Sequence, residues 1–322
     1  MTSATLARAT NDHATATYEV VVVGGGPAGL QAALTLGRMH RRVLLLDSGS
    51  YRNDPTPAMH NFLTHDGRAP ADLRSLARAE LTAYDTVEVR DAAATEVRRT
   101  GEAGFEVVAD GETISTRLLL LATGVRDTLP DKPGLAGLFG TVAAHCPFCH
   151  GHEYAGLPVA VLGSHAHVGR LAAMLTPIAS EVIVLTDGAD LDEVGAAAVA
   201  GVGASVRPQR VSGFCPSSLG ATVSFASGPD LEVGGVLVST TFEQSAPFAD
   251  QLGLSLLESG CVEVDAMGRT SLPGVFAAGD AAHTAVMPMP MSSVLMAAAA
   301  GQMAGASCVA DLLARPAGTP PS

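Results

Sequence analysis

Tyr18-Glu19-Val20-Val21-Val22-Val23-Gly24-Gly25-Gly26-Pro27-Ala28-Gly29 is the stretch that decides the fold. A nearly unbroken apolar run of this kind reads as a strand covered on both faces, as in a parallel sheet. It runs straight into a glycine turn and then into an Ala- and Leu-rich helical segment ending near Met39. Arg42-Val43-Leu44-Leu45-Leu46-Asp47 supplies the next strand, which completes one βαβ unit. Gly24-x-Gly26-x-x-Gly29, placed between strand and helix and followed by an acid at the next strand end, has the spacing of a dinucleotide cradle. Gly24 permits the tight turn, and Gly26 lets backbone N–H groups approach a pyrophosphate. The helix N-terminus at Pro27 and Ala28 stabilises that anion, and Gly29 lets helix and strand pack closely. Asp47, with Ser48 beside it, would accept hydrogen bonds from ribose hydroxyls. A glycine-rich turn with no ligand is the alternative reading.

Outward from this unit, residues 86–120 alternate short β-type runs with turns at Gly101, Gly104 and Gly111. They read as a meander that closes with Arg117 to Leu121 and ends in Ala122-Thr123-Gly124. Asp127 to Gly137, rich in Pro and Gly, reads as a linker. A second βαβ unit follows: Val159 to Leu162 as strand, Gly163 to Gly169 as turn, Arg170 to Leu175 as helix, Glu181 to Leu185 as strand. More β structure is expected to about Thr240. The chain returns with Gly274-Val275-Phe276-Ala277-Ala278-Gly279-Asp280, and a last helix runs from about Ser292 to Leu313. A buried strand ending in Gly279-Asp280 presents a carboxylate where a second stretch of the same cofactor could pass. An Asp in that place can equally be a helix cap.

The 322 residues suggest about two domains. A hydrophobic share of 47% against 16% charged residues supports large cores and excludes disorder. The net charge of −13 argues against nucleic acid, which needs clustered Lys and Arg. The single lysine, Lys132, reads as arginine-biased coding and not as a site. No run of 18 apolar residues is present, so no membrane span is expected. Met1 to Thr17 is polar and lacks the apolar core of a secretory signal, so a cytoplasmic location is expected. Arg315 to Ser322 reads as a frayed end.

Of five cysteines, Cys215, Cys261 and Cys308 are scattered and read as small hydrophobes. Cys146 and Cys149 are different. His145-Cys146-Pro147-Phe148-Cys149-His150-Gly151-His152-Glu153 holds two thiols at a spacing that closes a small disulfide and exchanges with a dithiol. A nearby imidazolium or helix N-terminus would favour the reacting thiolate. The same cysteines with His150 or His152 also have a spacing that suits zinc. No metal is expected, because the pair lies within a dinucleotide-binding frame.

Gly24-x-Gly26-x-x-Gly29, Ala122-Thr123-Gly124, the CxxC pair and Gly279-Asp280 stand in the order seen in thioredoxin-reductase-like flavoproteins, which the chain resembles over about residues 18–314. The resemblance implies an α/β fold of two Rossmann-like, three-layer β/β/α nucleotide-binding domains, the second inserted in the first. Residues 1–126 and 245–322 would form a discontinuous FAD-binding domain, and residues 127–244 the second domain, carrying the CxxC. It implies FAD in the first unit and a homodimer. Arg52, Asn53, His60 and Asn61 fall in the family's loop near FAD, Thr123 and Gly124 join the FAD site, and the closing helix would point Ser293 and Val294 at the flavin. Where thioredoxin reductases carry Asp after the second Cys, this chain has His150. Cys-Pro-Phe-Cys-His-Gly with Glu153 behind it resembles the dithiol oxidases of the gliotoxin and holomycin type, which close disulfides in small natural products.

The second glycine turn departs from the pattern. In Gly163-Ser164-His165-Ala166-His167-Val168-Gly169, His165 stands where a small residue should receive a pyrophosphate, and Val168 where helix and strand should meet closely. Gly169 could replace Val168 by a one-residue shift. Asp187, after the next strand, would repel a 2′-phosphate, so NADPH is disfavoured. NADH remains open, since Asp187 could accept from a ribose hydroxyl. If no nicotinamide reduces the flavin, a substrate dithiol supplies the electrons and oxygen takes them. The resemblance then implies that Cys146 exchanges with substrate, Cys149 faces the flavin, and His150 moves protons. A disulfide reductase fed by NADH or another donor, and a protein that sequesters a toxic dithiol, are the competing readings. Met287, Met289 and Met291 could line a pocket for an apolar dithiol or simply pack.

Overall fold

The computed structural model describes residues 18–101, 104–165 and 167–314. The expectations about residues 1–17 and 315–322 lie outside the described residues.

The first sheet is parallel at its centre. Val87–Asp91, Val43–Asp47, Tyr18–Val23 and Glu112–Leu121 lie side by side, and Val275–Ala277 adds to the far edge of Glu112–Leu121. Alternation along each strand divides the apolar side chains between two cores. Val20, Val22, Leu45, Leu118 and Leu120 face the helices. Val21, Val23, Leu44, Leu119 and Leu121 face the meander. Glu112–Leu121 is long enough to serve both layers. Its second half pairs with Tyr18–Val23, while its first half pairs antiparallel with Gly104–Ala109, which pairs with Ala94–Thr100. Gly104 therefore opens a strand, where the sequence suggests a turn. Each fully buried Val or Leu contributes about 1.5–3 kcal/mol by leaving water.

The closing helix, Val294–Ala314, lies on the first helix, Pro27–Arg38. A Cβ on Gly301 would strike the backbone of Ala28, and one on Gly305 would crowd Ala32 and Thr35. Small residues at helical spacing thus bring the two backbones together. By length and composition alone this helix is apolar enough to cross a membrane, although a third of it is buried inside the protein. The sequence reading, which looked only for unbroken apolar runs, did not single it out.

The second sheet lies wholly within residues 143–238. Ser205–Arg207, Glu181–Leu185, Pro158–Leu162, Gly235–Val238 and Ala143–Ala144 are parallel in that order. Two corrections concern this unit. Glu193–Gly201 is a helix where further β structure is expected, and Asp192 caps it by accepting from Gly195 N at 2.6 Å. Its Ala, Val and Gly content carries no amphipathic pattern, so the cap was the only local signal. The linker is also structured: Val125–Thr128 pairs antiparallel with Thr241–Gln244, so the two crossings between the units form one ribbon. A helix at Pro70–Leu81, unread in the sequence, covers the sheet beside Val43–Asp47.

Candidate functional site

The first glycine turn begins with Gly24 N donating to Leu46 O at 2.8 Å. Gly24 has φ +116°, and its missing side chain is required because a Cβ would meet the Ala122 carbonyl. A Cβ on Gly29 would fall on the Gly24 carbonyl oxygen, and one on Gly25 on the Asp47 carboxylate. A Cβ on Gly26 would meet nothing within 4 Å. Gly26 therefore faces open space at the start of a helix with Pro27 in its first turn, which is the cradle an anionic pyrophosphate needs. Other expected residues converge here. The Cβ position of Gly279 (φ +77°) lies 2.9 Å from Ala28 Cβ and 3.8 Å from Ala297 Cβ, and Gly24 abuts Ala122 and Thr123. Gly124 adopts φ +68°. Ser293 caps the closing helix through Met296 N at 3.1 Å, just before Val294. The residues present fit FAD.

Asp47 is only 2% exposed. It accepts from Gly49 N at 3.0 Å, Tyr51 Oη at 2.7 Å and Arg78 Nη1 at 2.8 Å. Burial and the bond to Asp47 push the Tyr51 phenol up to about 12, so it stays a donor. Oδ2 accepts from Tyr51 and Arg78 and Oδ1 from Gly49 N, with the side chain 1% exposed. Gly25, Tyr51 and Arg78 were not read as site residues. The signal for Gly25 was its place inside the glycine run. Ser48 is exposed beside Asp47.

The loop after Asp47 connects the two units. Arg52 Nε and Nη2 donate to Asp127 at 2.6 and 2.7 Å, and Nη1 donates to Asp280 at 2.7 Å and Ser292 Oγ at 2.8 Å. Asp127 lies in the interunit ribbon and also accepts from Thr240 at 2.9 Å, just before the opposite ribbon strand. Burial raises the Asp127 pKa, but the Arg52 bonds and charge outweigh it, so the net shift is downward. Arg52 and Asp280 thus bind each other, in addition to whatever they hold of a cofactor. Asn53 accepts from Arg74 at 3.1 Å. Asn61 adopts φ +62° and its N–H donates to Asp66 at 2.7 Å. His60 pairs across the units with Glu153 at 3.4 Å and with Asp66 at 3.6 Å.

Cys146 and Cys149 form a disulfide with Cα atoms 5.3 Å apart. Cys146 caps a one-turn helix, Pro147–His150, whose turn closes through Gly151 N to Pro147 O at 2.8 Å. This turn meets the first unit where His150 Nε2 lies 3.4 Å from Thr56 Oγ1, and Gly140, earlier in the chain, packs so closely that a Cβ there would strike Pro55. His150 Nδ1 is buried without a hydrogen bond. Burial, the largest influence, lowers the His150 pKa, so its imidazole is neutral near pH 7. His145 stacks on Phe139 at 5.8 Å, and burial followed by the Arg52 charge lowers its pKa. The two sulfurs are bonded to each other, whereas a zinc site requires free thiolates. Cys261 and Cys308 are buried and Cys215 is exposed.

The second glycine turn starts as the first does, with Gly163 N donating to Leu185 O at 2.9 Å, and then diverges. The first helix begins at Pro27, directly after Gly26, but the second begins only at Val168. His165 Nε2 lies 2.5 Å from Ser239 Oγ, and its ring is 3.1 Å from where a Cβ on Gly163 would sit. The imidazole thereby bridges the turn to the neighbouring strand end. Val168 is fully buried, and Gly169 does not take over the helix–strand approach: its Cβ would sit 2.6 Å from Ala198 Cβ, on the helix Glu193–Gly201. Asp187 has one partner on each oxygen, Lys132 at 2.6 Å and Val211 N at 2.8 Å. Lys132, read from the sequence as mere coding bias, holds that carboxylate. The cavity that remains, about 390 Å³, is lined by Lys132, Gly163, His165, Asp187 and Ser239 among others.

A closed cysteine pair set against a dinucleotide unit defines the class: a disulfide oxidoreductase that works with a flavin. The chain belongs to the pyridine nucleotide-disulphide oxidoreductase family, whose model matches residues 18–305. Thioredoxin reductase tcpT of Claviceps purpurea is 31% identical over 309 residues, covering 91% of this chain and 95% of that protein. Thioredoxin reductase sirT of Leptosphaeria maculans is 32% identical over 325 residues, covering 92% and 97%. Among solved structures, HlmI matches with TM-score 0.84 at 33% identity, covering 92% of this chain and 93% of that one. An oxidoreductase from Agrobacterium tumefaciens matches with TM-score 0.86 at 30% identity, covering 93% and 100%. The fold is thioredoxin-reductase-like, and the cofactor of this family is FAD.

Proposed function

We propose that the protein oxidises a small-molecule dithiol to its intramolecular disulfide and passes the two electrons to oxygen, releasing hydrogen peroxide. The observation that carries this reading is the asymmetry of the two glycine turns. Gly26 opens on free space, whereas the His165 side chain stands at the corresponding position of the second unit and reaches Ser239. A protein that keeps the flavin cradle and obstructs the nicotinamide cradle draws its electrons from thiols.

In the proposed cycle a substrate thiolate attacks Cys146, forming a mixed disulfide and releasing Cys149 as a thiolate. The second substrate thiol then attacks the substrate sulfur of that mixed disulfide. The product ring closes and Cys146 leaves as a thiolate. His150, neutral because it is buried, accepts a thiol proton in this exchange. FAD, held at the Gly24–Gly29 turn, would supply the two-electron acceptor that lets the thiolate pair return to the disulfide and would hand those electrons to oxygen. The Cys-Pro-Phe-Cys-His-Gly string and its likeness to gliotoxin- and holomycin-type oxidases support a natural-product dithiol as substrate. Leu295, Met296, Met303 and Leu313, exposed on the closing helix, support a homodimer.

The relatives' names favour the competing reading, a reductase fed by a pyridine nucleotide. Anaerobic mixing with NADH or NADPH separates the two. The oxidase leaves its flavin yellow, then consumes oxygen with small dithiols, and Cys146→Ser abolishes that uptake. Prompt bleaching by either nucleotide overturns the proposal.

A further inference from the structure

Phe148 is the only exposed phenylalanine of the nine in the chain; 69% of its surface is open, and it stands between the two bonded cysteines. The other eight are buried or half-buried. Leaving a phenyl ring in water forgoes the burial that holds those eight in place. Pro147 and the Cys146–Cys149 bond restrict the turn that carries it. Thr56 and His60 from the first unit contact the same turn at His150 and Glu153, yet the ring remains uncovered.

We propose that Phe148 is the platform for the carbon scaffold of the dithiol, and that it selects substrates whose thiols flank a ring or another apolar face. The proposal rests on the reading of Cys146–Cys149 as the pair that exchanges with a small dithiol. For exchange, a substrate sulfur must come within about 3–3.5 Å of a cysteine sulfur. Phe148 adjoins Cys149 and lies two residues from Cys146. The ring sits on the one-turn helix that Cys146 caps and Cys149 belongs to, and it is open to solvent, so a scaffold exchanging at either sulfur can meet it. A phenyl face offers apolar area and favourable contact with sulfur. The exposed carboxylates nearby, Glu153 and Asp66, disfavour an acidic scaffold.

Dithiothreitol and 1,2-benzenedimethanethiol form a matched test pair. Each closes a six-membered disulfide ring, and the second adds a fused benzene. The first readout is the ratio of their second-order rate constants for anaerobic flavin bleaching. The second, which needs no turnover, is the calorimetric affinity of the oxidised protein for the benzene-fused cyclic disulfide. Phe148→Ala should lower the ratio in favour of the aromatic dithiol, and the affinity, each about tenfold, equivalent to about 1.4 kcal/mol. Phe148→Tyr should keep both. An unchanged ratio and affinity in Phe148→Ala overturns the platform, as does reduced thioredoxin outcompeting both dithiols regardless of residue 148. Wild-type protein that bleaches with both dithiols but takes up no oxygen sinks the oxidase reading alone, and the ratio still judges Phe148. Wild-type protein that bleaches with neither sinks both.

Discussion

Gly26 and Gly29 share one turn but lack side chains for different reasons. Gly26 has ordinary extended backbone, φ −74° and ψ −179°, with free space where its Cβ would point. Gly26→Ala should therefore leave the unfolding free energy of the flavin-free protein within about 0.5 kcal/mol of wild type. It should nevertheless abolish FAD retention, because the methyl enters the pyrophosphate cradle. Gly29→Ala should instead lower stability by about 2 kcal/mol, since its methyl strikes the Gly24 carbonyl and the helix must lift. Thermal melting and flavin absorbance of each variant check the pair; equal stability loss in both would sink the distinction. His150 provides a pH-dependent prediction. Its pKa is lowered chiefly by burial, so its base form is present at pH 7 and is lost only as pH falls below the shifted value. Dithiol kcat/KM should fall along an acid limb set by that group. His150→Gln should lower kcat/KM by about 10²-fold and remove the limb. A limb of unchanged position in the variant would assign the base elsewhere.

At the scale of elements, the ribbon formed by Val125–Thr128 and Thr241–Gln244 decides how the two units meet. Arg52 is its anchor. Its side chain is 17% exposed and that of Asp127 8%, so the pair is largely desolvated. Removing the cation leaves Asp127 and Asp280 as near neighbours without their shared partner. Arg52→Met should thus cost about 3 kcal/mol of unfolding free energy. Adding Asp127→Asn should recover part of it, because the orphaned charge is then gone. Thermal melting of the single and double variants reads this, and additive losses would refute the coupling. The sequence places Arg52 beside FAD by resemblance. Its main partners are separated from it by 75 and 228 positions in the chain, a pairing no local pattern carries.

Considered as a whole molecule, the closing helix leaves apolar side chains exposed along one face. One face, through Gly301, Ala304, Gly305, Cys308 and Leu312, packs inward, while Leu295, Met296, Met303 and Leu313 lie exposed on the other. An apolar stripe of that length on a single helix marks an association surface, and a second copy related by a twofold axis would cover it with itself. The protein should sediment as a dimer, and Met303→Glu should shift it toward monomer without loss of FAD. A wild-type monomer at micromolar concentration would exclude this arrangement.

The sequence alone determined the parallel strands, the first glycine turn, the divergence of the second turn at His165 and the cysteine pair. Each of these is written in neighbouring residues: apolar runs, glycine spacing and a CxxC. It could not show that Lys132 holds Asp187, that His165 reaches Ser239, or that Tyr51 and Arg78 hold Asp47. It also missed the helix at Glu193–Gly201, whose uniform small residues carry no periodicity. Those outcomes are tertiary decisions. A buried carboxylate such as Asp47 takes the donors the fold brings to it, because leaving it unpaired costs more than closing a distant contact.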